Sequence, residues 1–347
     1  MREGVWSRMN AAMNALGPDW LAHRYDPTHD AVHLRRVDRA TRARVPFLTD
    51  EELGGPGEPQ VIRRADLAAL RTAAVPAQFI FHSAYCCSTL LANAYDRPGQ
   101  AFSLKEPVIL NDLVGWRHRG APPERLGPML GEAVELLARP FERGERCIIK
   151  PSNVVNGFAP ALLAMQPEAR ALLLYAPLEV YLGSIAKKGL WGRRWVRDLL
   201  SKQLREQLVL PGFSAEDYFL QTDLQVAAVG WLAQHALYHR LAAKFPERVR
   251  SLDSEVLLER PHEALAALDQ LFGVACSDED RGRVIATVFS RNAKNPQGER
   301  YSAADRKAAQ VEAVGQYEDE IAKVLEWARA VAENAGVPMS GPLPLLG

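Results

Sequence analysis

Short uninterrupted apolar runs recur through the middle of the chain, separated by longer segments whose apolar residues fall at helical spacing. Phe79-Ile80-Phe81, Ala101-Phe102-Ser103-Leu104, Cys147-Ile148-Ile149 and Ala171-Leu172-Leu173-Leu174 are such runs, and Val249-Arg250-Ser251-Leu252 is a weaker fifth. Strands covered on both faces lack polar alternation, and helical segments between them imply crossover connections in a parallel sheet. The pattern predicts an α/β, doubly wound fold with a mostly parallel sheet of about five strands. Residues 1–75 have weak periodicity and a loop-like Gly54-Gly55-Pro56-Gly57-Glu58-Pro59 stretch, and read as an N-terminal extension packing on the core. Residues 76–302 form the core, with a helical region at about 185–245 expected to cover the site, and 303–347 a C-terminal helix and tail.

Two segments predict long helices, one or two in the first and one in the second. Ala215 to Phe245 lacks internal proline and carries Leu220, Leu224, Ala227, Trp231 and Leu232 at helical intervals. Ser302 to Ala335 has Ser302 as a candidate N-cap and Gly336 as a candidate stop, with the stripe Val314, Tyr317, Ile321, Val324, Leu325, Ala328 and Val331 expected to face the core.

The 42 basic and 42 acidic side chains of the 347 residues leave no net charge, so nothing global attracts nucleic acid or an anionic membrane. Any anion site must be local. The four cysteines, Cys86, Cys87, Cys147 and Cys276, have no metal-ligand spacing, and the adjacent pair would bridge only with strain. No signal-peptide pattern opens the chain, and no run approaches the roughly 20 apolar residues of a membrane span. The expectation is a reduced, cytoplasmic protein. His235 and His239 lie one helical turn apart without a third ligand, so a structural pair is expected and no metal.

The chemistry concentrates in Phe79 to Leu91, where an apolar strand breaks into His-Ser-Ala-Tyr-Cys-Cys-Ser-Thr and resumes as helix. A helix N-terminus offers unpaired amides and the positive end of its dipole to a phosphate, and Ser88 and Thr89 add hydroxyl donors. The Gly-Lys-Ser/Thr core of nucleotide hydrolases is absent and the loop has no lysine, which disfavours an ATPase, a GTPase or another phosphoryl transferase. A Gly-x-Ser-x-Gly elbow is also absent, which weakens a hydrolase reading.

Taken in order, Phe79 to Leu91, Leu104-Lys105-Glu106-Pro107, Ile149-Lys150-Pro151-Ser152-Asn153, and Pro167 to Leu174 leading to Ser184 resemble the sulfotransferase family over roughly residues 78–190. The resemblance implies a P-loop-like fold and 3′-phosphoadenosine 5′-phosphosulfate (PAPS) as sulfuryl donor, with its desulfated form PAP as product. It implies that Tyr85, Cys86, Cys87, Ser88 and Thr89 cradle the 5′-phosphosulfate, and that Ser184 contacts the 3′-phosphate. Two family cations are replaced here, by Tyr85 in the loop and by Ala176 at the fourth strand's end. Lys187, Lys188, Arg193, Arg194 and Arg197, interleaved with Trp191 and Trp195 and with Gly189 and Gly192 between them, offer a basic, aromatic lid or else a solvated helix face. Arg291 and Lys294 occupy a segment similar in composition to the family's phosphate-closing loop.

Glu106, after the second strand, is the candidate base that takes the acceptor's proton; the other readings are pairing with Lys105 or Arg117, or capping of the helix near Pro107. Lys150, ending the third strand, is the candidate cation for the sulfuryl group, and His82 is a second if protonated. The acceptor is expected to be a small molecule or peptide, with neither nucleic acid nor membrane as partner. The alternative is a catalytically inactive nucleotide-binding or regulatory protein on the same scaffold.

Overall fold

The computed structural model describes residues 17–347 except 56, 71–73, 210–211, 215, 293–294 and 301–302. Three strands, β1 (Trp20–Asp26), β2 (Ala31–Arg36) and β3 (Gln60–Arg63), form an antiparallel sheet of their own. The weak periodicity of this region predicts an extension packing on the core and gives no sign of these strands. Its alternation was obscured because charged residues sit among the buried positions and the β1–β2 register shifts between Ala22 and Arg24. The sheet packs its apolar side, including Leu21, Val32, Leu34 and Ile62, into the core beside the helices Val108–His118 and Pro123–Leu137.

The five expected runs are strands: β4 (Ala77–His82), β5 (Ala101–Lys105), β6 (Arg146–Lys150), β7 (Ala171–Tyr175) and β8 (Val249–Asp253). They form one sheet in the order β5-β6-β4-β7-β8, every pairing parallel. Alternate residues of a strand feed the two faces. Phe79 and Phe81 enter one apolar cluster with the helices Val108–His118, Pro123–Leu137 and Ala159–Met165. Ile80, Ile148, Leu172 and Leu174 enter the other, with the helices Leu178–Lys187, Gly189–Arg205, Pro261–Phe272 and Glu318–Ala335. The fold is α/β and doubly wound.

The chain leaving β4 turns toward the second face, while the chain leaving β6 turns toward the first through a 3-10 turn, Asn153–Phe158, and Ala159–Met165. Neighbouring parallel strands whose connections diverge open a crevice at their C-terminal ends, where α/β folds bind ligands. Here that crevice lies between β4 and β6.

The segment expected as long helix from Ala215 is Asp217–Leu220 followed by Asp223–Lys244, because Thr222 and Gln225 form a capping box that starts the second helix afresh. The C-terminal stretch is likewise two helices, Ala303–Gln316 and Glu318–Ala335, parted at Tyr317 and stopped by left-handed Gly336. Ser302 lies outside the described residues. Among the described residues no helix is long and apolar enough to cross a membrane.

Candidate active site

β4 ends at His82, and residues Ser83 to Cys87 turn the chain into the helix Ser88–Asn93. Ala84, Tyr85 and Cys87 have positive φ, at 74°, 52° and 61°. Non-glycine residues seldom take this conformation, and each such residue carries strain of about 1–3 kcal/mol that the surroundings must hold. Several bonds hold it. Ser83 N donates to Leu174 O at 3.0 Å, Ala84 N to His82 Nδ1 at 3.1 Å, and Ala176 N to Ser83 Oγ at 3.2 Å. Backbone turned this way aims successive amides into a concavity suited to anions. No side chain caps the helix that follows, so its first N–H groups add to the same end.

His82 is 4% exposed, and its Nε2 lies 3.0 Å from Pro151 O. Since Nδ1 accepts from Ala84, the ring meets both partners as a neutral imidazole donating at Nε2. His82 thus braces the β4 and β6 loops.

Glu106 follows β5 with φ of 51°, and its N donates to Lys150 O at 2.7 Å. Its carboxylate forms an ion pair with Lys150, and His82 Nε2 lies 4.0 Å from the same Oε1. Lys150 is 1% exposed, and its ammonium sits 5.1 Å from the Phe47 ring centroid. Of the open readings for Glu106, pairing is the one observed, but with Lys150. Arg117 pairs with Glu206 instead. Lys105 turns away to donate to Ala43 O at 2.7 Å and Asn93 Oδ1 at 2.8 Å. Burial pushes its pKa down to about 8.

The loop side chains divide. Ser88 and Thr89 are buried at the helix start, and Cys87 is half-buried. Cys86 is wholly buried in the second core, its sulfur interacting with the Ser83 side chain and the Ser88 amide, and burial pushes its thiol up to about 11. A helix start ordinarily acidifies a thiol, but here desolvation outweighs the dipole. Tyr85 is tied into an aromatic group, its ring centroid 5.5 Å from Trp195 and 6.0 Å from Tyr181. Burial raises its phenol to about 12.

Ala176 is fully buried and uses both backbone groups, its N on Ser83 Oγ and its O accepting from Trp231 Nε1 at 2.9 Å. Ser184 is half-buried on the helix Leu178–Lys187, and Lys187 at that helix's end is exposed. Arg291 is exposed at the start of a two-stranded ribbon with Asn295–Arg300, while Lys294 lies outside the described residues.

The basic, aromatic segment is the regular helix Gly189–Arg205. Arg193 makes a two-nitrogen contact with Glu320, and Arg197 pairs with Asp223 at 2.5 Å and donates to Gln221 O at 2.9 Å. These two arginines are therefore committed to neighbouring helices. Gly192 is a contact glycine: a Cβ there would meet Ile185 O at 2.5 Å. At the far end, Glu206 joins Arg117 and His118 beside Gly157 of the β6 turn, so the helix spans from Trp195 near the loop to the turn after β6. His235 is buried against Trp231 with ring centroids 3.5 Å apart, and His239 Nε2 bonds Ser340 O. Among the described residues no group of three or more His, Cys, Asp or Glu could hold a metal ion.

Three features carried no signal in the sequence: Phe47 beneath Lys150, Asn93 on Lys105, and the left-handed backbone of Glu106. The first two arrive from distant or helical positions, and the third is a backbone state that glutamate does not advertise. Together the crevice presents an amide cradle for an anion opposite a carboxylate held by a buried ammonium.

No family model and no curated protein matches the chain. Among solved structures it is similar to a sulfotransferase named STF9 from Mycobacterium avium, at 12% identity over 74% of this chain and 79% of that one, with a TM-score of 0.42. It is also similar to a sulfotransferase from Alicyclobacillus acidocaldarius, at 17% identity over 67% of this chain and 100% of that one, with a TM-score of 0.38. A third is the sulfotransferase domain of the Synechococcus PCC 7002 olefin synthase, at 11% identity over 70% of this chain and 88% of that one, also with a TM-score of 0.38.

Proposed function

We propose that the chain transfers the sulfuryl group of PAPS to a hydroxyl or amine of a small-molecule or peptide acceptor. The observation that carries this reading is the Glu106–Lys150 pair at the β4/β6 crevice, beside a loop whose left-handed residues present backbone amides. The donor's 5′-phosphosulfate sits on the amides of Tyr85 to Thr89, and Ser184 with Lys187 lies toward the 3′-phosphate. Glu106 takes the acceptor's proton as the acceptor oxygen or nitrogen bonds to sulfur. The bond from sulfur to the bridging oxygen breaks, and PAP leaves with the electron pair. Lys150 then supplies the positive charge that the loop lacks, stabilising charge on the transferring group.

A second reading has support of its own. Tyr85 turned into the aromatic group and Ala176 sealed in the core leave both phosphate ends without the expected cations, as suits a protein that holds nucleotide without turning it over. Calorimetric titration with PAP, using ADP and ATP as controls, followed by an acceptor screen with PAPS, separates the two. Micromolar, PAP-selective binding with transfer supports the enzyme. Binding without transfer across the screen supports the inactive protein. Failure to bind PAP overturns both.

A further inference from the structure

The segment that leaves the short helix Arg39–Arg44 carries the chain from the N-terminal strands to the rim of the crevice. Val45 and Leu48 are buried there, whereas Phe47 between them is half-buried and belongs to neither apolar cluster. A phenyl ring that fills no core has its place for another reason. The backbone beside it brackets Glu106. Leu48 N donates to Lys105 O at 2.7 Å, and Val108 N donates to Leu48 O at 3.3 Å. Ala43 O, a few residues earlier, accepts from Lys105 Nζ. Since Glu106 N donates to Lys150 O, the left-handed residue is pinned between this segment and β6.

The ring itself lies under Lys150. That ammonium is buried, and among the described residues the Glu106 carboxylate is its one hydrogen-bond acceptor. Lys105, its neighbour in the strand register, repels it, and the neutral His82 adds no charge. An ammonium has three N–H donors, so a single acceptor leaves its buried charge under-compensated. An aromatic face is the negative part of a quadrupole and attracts a cation most strongly where water is excluded. With its centroid 5.1 Å from Nζ, the Phe47 ring supplies that attraction without an acceptor that would compete with Glu106.

We propose that Phe47 is a positioning residue, whose ring face holds the Lys150 ammonium against Glu106 and so fixes the carboxylate where it is part-exposed to the crevice. The catalytic consequence rests on the sulfuryl-transfer reading; the contact itself does not.

The test replaces Phe47 in the full chain by mono-, di- and trifluorinated phenylalanine, which nearly keep the ring's shape while withdrawing negative charge from its face. Urea unfolding is measured along this series in the parent and in Lys150→Met. The folding equilibrium constant is expected to fall stepwise in the parent, by about threefold or more at the trifluorinated ring, and to stay level in Lys150→Met. Should Lys150→Met fail to fold, Glu106→Gln combined with Lys150→Met removes both charges at once and takes its place. In a PAPS transfer assay the same series should lower turnover by about threefold or more while PAP affinity is kept, which packing alone would not produce. A level series in the parent, or equal losses with and without the lysine, overturns the contact. Level turnover in a series that loses stability overturns the positioning role. Absence of transfer by the parent denies the sulfuryl-transfer reading instead, and the unfolding cycle still decides the contact.

Discussion

At the residue scale the crevice couples two groups that would each be costly alone. Lys150 is buried and charged, and Glu106 is held beside it by a left-handed backbone, so each supplies what the other's desolvation requires. Glu106→Gln keeps the shape but removes the proton acceptor. Under the proposed function, turnover should fall about 100-fold or more, while PAP affinity stays within about threefold. Rates in a PAPS transfer assay alongside calorimetry check this, and equal losses in both would deny Glu106 the role of base. Lys105, beside Lys150 in the strand register, behaves differently because no carboxylate bonds its ammonium in the way Glu106 bonds Lys150. Its folded pKa, about 8, lies below the ordinary 10.5. Below pH 8 both folded and unfolded states hold the proton, and burying the charge opposes folding in full. As pH rises from 8 toward 10.5 the folded group loses its proton first, so that opposition is relieved. Lys105→Met should abolish this rise, and the stability difference between parent and variant should move by on the order of 1 kcal/mol between pH 7.5 and 9.5 in urea unfolding.

At the element scale, the glycines of the helix Gly189–Arg205 separate two kinds of constraint. Gly192 has no room for a methyl, since its Cβ would lie 2.5 Å from Ile185 O and 2.7 Å from Lys188 Cβ. Gly189 has space but φ of +56°. Gly192→Ala should therefore destabilise by about 1–3 kcal/mol through overpacking, and Gly189→Ala by about 1 kcal/mol through backbone strain, both read from thermal melts. A hinge role for the pair predicts the reverse ranking, with effects on turnover exceeding those on stability. This contrast also marks what the sequence could tell. The five apolar runs announced their strands because strands covered on both faces need no polar alternation, and the strand-to-helix break at His82 announced the loop. β1 stayed hidden because the bulge at His23 breaks the alternation that a solvated strand would display, and β2 and β3 because they are short and carry few buried positions. The pairing of Glu106 was illegible for another reason. Lys150 lies far along the chain and reaches Glu106 only through the β5–β6 register, which places Lys105 and Lys150 side by side.

For the whole molecule, the arrangement of layers decides whether ligand entry requires the helix over the crevice to move. That helix buries Val196, Leu199, Leu200 and Gln203, fastens Arg193 to Glu320 and Arg197 to Asp223, and ends with Glu206 locked between Arg117 and His118. An element with so many buried and ion-paired attachments opens only with the surrounding core, whereas a working lid belongs to the low-stability end of the structure. Hydrogen exchange followed by mass spectrometry should accordingly find residues 193–205 protected before any ligand is added, close to β4, β6 and β7. The exposed segment Asp217–Leu220, whose Phe219 and Leu220 are each 85% exposed, should exchange fastest of the two. Under the proposed function, addition of PAP should slow exchange in residues 85–89, whose amides are the proposed anion donors, and leave 193–205 nearly unchanged. Strong new protection across 193–205 on PAP binding would instead make the helix a lid, and the arginine pairs a latch that closes with the nucleotide in place.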